Sequence, residues 1–94
     1  MSGGDRTVEM IAWFDDLGEI HPIRFRLTDD MAKQHVISVK KVLSRKLERH
    51  SGNYIAVFDC MSANKNQEKT YRLKYEMNSC KWYLGFAQQP QNGC

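Results

Sequence analysis

The sequence predicts a mainly β protein, an antiparallel meander of about six strands curled into a small barrel or half-barrel. Three observations lead there. The stretch TYRLKYEMNSCKWYL, residues 70–84, places Tyr71, Leu73, Tyr75 and Met77 on one side and Arg72, Lys74 and Glu76 on the other. After Asn78 and Ser79 the two-residue period returns with Cys80, Trp82 and Leu84, so the segment reads as a hairpin with one apolar face. TVEMIAWF near the start alternates in the same way, and the apolar segments are short and separated by turn-forming clusters.

In chain order, residues 1–6 are polar and Gly-containing and read as a tail. In residues 7–14 Val8, Met10, Ala12 and Phe14 share the inner side, and Thr7, Glu9, Ile11 and Trp13 the outer one. DDLGE, residues 15–19, supplies turn formers and a glycine suited to positive φ, so the segment from Ile20 should complete a first hairpin. There Ile23, Phe25 and Leu27 are expected inside and Arg24 and Arg26 outside. Pro22 lacks the N–H of a ladder bond and implies an edge, a strand start or a bulge near His21.

TDDMAK, residues 28–33, reads as a polar loop or one helical turn. In residues 34–43 the positions Val36, Val39 and Leu43 also fit a helical stripe, but the density of Val36, Ile37, Val39 and Val42 favours a strand. A charged connection is expected over residues 44–52. NYIAVFDCM, residues 53–61, is apolar on both sides and suits a central or strongly curved strand. Residues 63–69 read as a turn, and a polar tail is expected over 87–94, leaving one β domain over 7–86. No internal repeat stands out.

A flat sheet this short would expose an apolar face, so the strands should wrap into a barrel resembling SH3-like or split-barrel folds. The expected core draws on Val8, Met10, Phe14, Ile23, Phe25, Val39, Phe58, Leu73, Tyr75, Trp82 and Leu84. AWFDDLGEIHPIRFRL and YRLKYEMNSCKWYL resemble a group of small β-rich bacterial proteins that carry P-x-R-F in an early strand and K-W-Y-L in the last. That resemblance implies the fold and brings no catalytic set with it.

At 94 residues the chain suffices for one core. No apolar run approaches the roughly 20 residues that cross a bilayer. MSGGDRTVEM lacks the pattern of a secretory signal, so a soluble, cytoplasmic protein without a membrane partner is expected. Cys60, Cys80 and Cys94 cannot all pair within one chain, and Cys60 and Cys80 read as small apolar fillers in strands.

Catalytic signals are weak. His21, His35 and His50 lack the close ligand spacing of zinc sites, and no cofactor or metal is implied. Ser79 and Cys80 have no neighbouring base, Asp15-Asp16 and Asp29-Asp30 suit turns, and no phosphate-binding glycine loop occurs.

Two non-catalytic readings follow. The first is a protein-interaction module, as homodimer or with a protein partner, through a patch of Ile11, Trp13 and Tyr83. The alternative is weak binding of RNA or single-stranded DNA through Arg24, Arg26, Lys40, Lys41, Arg45, Lys46, Arg72, Lys74 and Lys81, with Trp13 or Tyr83 as stacking platforms. The net charge of +3 gives that alternative little force.

Overall fold

A computed structural model describes residues 6–62 and 69–85. Six antiparallel strands, β1 (Arg6–Phe14), β2 (Ile20–Thr28), β3 (Gln34–His50), β4 (Asn53–Ser62), β5 (Thr70–Glu76) and β6 (Lys81–Gly85), close in sequence order into a barrel. No helix occurs among the described residues. Arg6, assigned to the tail by its polarity, opens β1 opposite Leu84.

Two strands divide their length between their two neighbours. The first residues of β1 pair with β6 through Arg6, Thr7 and Val8, and the rest pair with β2 from Glu9 onward. β3 pairs with β2 over residues 34–38 and with β4 from Val39 to His50. Arginines hold the places where a ladder stops. Arg6 Nη1 donates to the Thr28 carbonyl at 3.2 Å, and Arg45 Nη1 to the Ile20 carbonyl at 3.1 Å, satisfying backbone acceptors that no strand reaches.

The residues expected to form a charged connection over 44–52 instead continue β3, which runs to His50 before a Ser51-Gly52 turn with both φ positive. Pairing with β4 along its whole length supplies the hydrogen bonds that override their polar composition. Lys40 and Leu43 are extra residues in β3, giving two bulges that bend it from one partner to the next. Between Pro22 and Arg24, Ile23 is the corresponding extra residue in β2, so the proline does mark a bulge.

That bulge corrects part of the expected core. Ile23 is 41% exposed, because the extra residue displaces it from the inward series that resumes at Phe25. Phe14, at the last position of β1, is 55% exposed, and Met77 lies in the β5–β6 turn rather than in a strand. Ile20, Phe25, Ala56, Phe58, Cys60, Leu73, Trp82 and Leu84 form the buried cluster, flanked by Val8, Met10, Ile37, Val39 and Val42. β4 is buried on both sides, since Val57 faces outward yet is covered between Lys46 and Lys74 on the adjoining strands.

The β1–β2 and β2–β3 loops share one construction. Asp15 Oδ1 accepts from the N–H groups of Leu17 and Glu19 at 2.9 and 2.8 Å, and its Oδ2 accepts from His21 Nε2 at 3.0 Å. Asp29 does the same with Met31, Lys33 and His35, at 2.9 Å each. Gly18 and Ala32 take the matching positive-φ position. DDLGEIH and DDMAKQH are therefore a repeat in geometry as well as in spacing.

These hydrogen bonds, first from the histidine and then from the backbone, hold the Asp15 and Asp29 carboxyls below their usual range. A lowered carboxyl stabilises the fold above its unfolded-state pKa of about 4 and loses that contribution as pH falls through the folded value. Asp15→Asn and Asp29→Asn are expected to lower thermal stability near pH 7, with the deficit against wild type shrinking as the melts are repeated toward pH 2. For the core, Leu73→Ala should cost about 2–5 kcal/mol in urea unfolding because Leu73 is fully enclosed, and Ile23→Ala should cost under about 1 kcal/mol.

Candidate functional site

The basic residues singled out in the sequence are distributed over separate surfaces. Arg24 and Arg26 lie on the outer face of β1–β2–β3, where Arg26 is ion-paired with Glu9. Lys41, Lys46, Arg72, Lys74 and Lys81 lie on the outer face of β3–β4–β5–β6, and Lys40 occupies a bulge. Acids are interleaved there. Arg72 holds Asp59 through two hydrogen bonds of 2.8 and 3.2 Å, Lys46 meets Glu48 at 3.1 Å, and Lys81 stands opposite Glu76. Arg72 keeps the Asp59 carboxyl below its usual range, so this pair stays charged through the neutral region.

A shallow groove of about 1100 Å³ follows β1, lined by Arg6, Glu9, Arg26, Asp30, Lys81 and Tyr83 among others. Its charges are largely turned on one another, with Arg6 on Asp30 and Arg26 on Glu9. Ile11 and Trp13 are each about half exposed on the outer face of β1, as their parity implied. Trp13 stacks on His21 with ring centroids 4.3 Å apart. Tyr83 is half-buried beside Thr7 and Lys74, at the opposite end of β1 from Trp13, so the three residues do not form one patch.

Asp15, Glu19 and His21 each bring one ligand atom to within 4.8 Å of the others. The twin loop has Lys33 where Glu19 stands and still makes its Asp29–His35 bond. The Asp–His pairing is thus explained as a loop clasp with no ion required.

The fourth surface was not foreseen. At the barrel end that carries the β1–β2 loop, the β3–β4 hairpin and the β5–β6 turn, inward-pointing side chains emerge into solvent. Leu47 is 59% exposed, Phe14 55% and Tyr54 41%. Leu47 pairs with Ala56 and Ala56 with Tyr75, while Phe14 meets Tyr75 edge-on at 6.2 Å, so these groups border a common mouth.

Two arginines flank Leu47 on the same face. Arg45 lies 5.5 Å over the Phe58 ring, and Arg49 lies 5.9 Å over Tyr54 and donates to its hydroxyl at 3.4 Å. Arg45 is therefore removed from the outer basic set and assigned to the mouth and the β2 seam. Beneath it Phe58, Trp82 and Tyr75 continue the contact series at 5.7 and 5.0 Å. Once β3 is taken to extend through His50, the spacing Arg45-Leu47-Arg49 places all three on one face. That signal was present in the sequence and was obscured by assigning the segment to a connection.

Family models, curated proteins and solved structures offer no match to this chain.

The two described cysteines part company. Cys60 is buried and its thiol is pushed up to about 12, by burial first and by the neighbouring Asp59 charge second. Cys80, expected in a strand, lies instead in the four-residue β5–β6 turn at φ 60° and is exposed, because β6 begins only at Lys81. In a Cys94→Ser variant, iodoacetamide at pH 8 should label Cys80 alone in the folded protein and both Cys60 and Cys80 in urea, read by peptide mass.

Proposed function

We propose that the protein is a non-catalytic interaction module that receives a protein segment at the mouth bordered by Phe14, Leu47 and Tyr54. The carrying observation is that three large apolar side chains share an open barrel end with Arg45 and Arg49 while being directed toward the core side of their strands. Exposed apolar groups on an inward face lack the cover that a longer neighbouring strand would give, and a ligand that supplies it removes that surface from water. Arginines stacked on aromatic rings are held in place before binding, so less side-chain freedom is lost when an acidic group meets them. An apolar residue accompanied by carboxylates is the chemistry that matches.

Nucleic-acid binding has less support, since the outer cations alternate with Glu9, Glu48, Asp59 and Glu76. A random peptide library displayed on phage and selected on the purified protein tests the proposal. Selected peptides should combine apolar and acidic residues, lose at least about tenfold in affinity against Leu47→Glu, and bind Trp13→Ala unchanged. Peptides indifferent to Leu47→Glu would overturn it. So would labelled oligo-dT binding tightly with a steep salt dependence while no peptide is selected.

A further inference from the structure

Which segment fits a mouth of that description can be asked of the chain itself. The β1–β2 loop, DDLGE, carries Leu17 at its tip, 85% exposed, between Asp16 and Glu19. Neither acid has an ion-pair partner among the described residues. We infer that the mouth is occupied by the β1–β2 loop of a second copy of this chain, with Leu17 against Leu47 and Tyr54 and with Asp16 facing Arg49. This rests on the mouth being a protein-binding surface, and it adds the identity of the partner.

Two observations support the second copy over an unrelated partner. The charges are complementary within one molecule, because the loop presents carboxylates and the β3 strip presents Arg45 and Arg49 at the same barrel end. Donor loop and receiving mouth therefore adjoin, with Arg45 reaching to Ile20 directly after the loop. A two-fold axis across that end sets each loop on the other's mouth, and the exchange closes as a symmetric pair.

The loop is also shaped in advance. The Asp15 carboxylate holds the Leu17 and Glu19 amides, His21 holds the carboxylate, and Trp13 stacks on His21. Little backbone freedom remains to be lost on docking.

The twin loop provides the comparison. Met31 occupies the place of Leu17 and is equally open at 82% exposed. Its acid Asp30 is already held by Arg6, and Lys33 replaces Glu19. It also lies at the far end of the barrel, where docking into a mouth would be head-to-tail and would not close as a symmetric pair. The two loops thus share a scaffold while only one carries free acids beside the receiving site.

Sedimentation velocity over a concentration series decides the matter, with circular dichroism melts to establish that each variant is folded. The wild type is expected to form a dimer that loosens as salt is raised, because part of the attraction is between charges near solvent. Asp16→Arg and Arg49→Asp should each weaken it at least about tenfold, and the double variant Asp16→Arg/Arg49→Asp should recover most of the loss. Leu17→Asp should abolish it, and Met31→Asp should leave it unchanged.

A monomeric wild type, failure of the charge swap to rescue, or dissociation by Met31→Asp overturns the inference. A monomeric wild type that still takes Leu47-dependent peptides overturns the self-partner alone. A monomer that takes none overturns the mouth as a binding surface too.

Discussion

The architecture depends on β3 having two partners in succession. A 17-residue strand that gives its first five residues to β2 and the rest to β4 must bend between them, and the extra residues Lys40 and Leu43 accomplish that within one short stretch. Every other closure follows. β4 and β5 extend the ladder, β6 delivers Trp82 and Leu84 to the interior, and β1 joins β6 to β2 by changing neighbours between Val8 and Glu9. The cost of this arrangement falls on the places where ladders end, and two arginine side chains cap the Thr28 and Ile20 carbonyls there.

The same bend produces the exposed mouth. After leaving β2, the far half of β3 pairs only with β4, so its inner face has cover over Arg45 from Phe58 but little over Leu47. Aromatic packing runs from Phe58 through Trp82 and Tyr75 to Phe14, and therefore passes from the interior to solvent without a break. Geometry required for closing the sheet and geometry suited to holding a ligand are the same residues viewed from opposite ends. An arginine that stabilises the seam also contributes positive charge to the surface beside it.

The two Asp–His loops show how one local device can be placed in different surroundings. Each uses a carboxylate to satisfy two backbone amides and a histidine to fix that carboxylate, which rigidifies a turn with a positive-φ residue. In one copy that residue is Gly18. In the other it is Ala32, which accepts the left-handed conformation at some steric cost. What differs is what surrounds them: Trp13 over His21 in the first, and Arg6 drawn to Asp30 in the second.

Period-two alternation determined the β class and the last hairpin with Leu73, Tyr75, Trp82 and Leu84 inside, the missing N–H of Pro22 pointed to an edge, a strand start or a bulge, and apolar residues on both sides of β4 pointed to a central or strongly curved strand. These depend on neighbouring residues alone, and alternation is a local property of an extended chain. Only the tertiary structure decided the rest. Val39, Val42 and Arg45 are spaced by three along the chain because each bulge adds one residue to the period of two. Phe14 and Leu47 have core parity but stand in solvent, and Arg26 and Arg72 have Glu9 and Asp59 beside them, because cover and such charge pairing are set by residues far away in sequence that the closed sheet brings alongside.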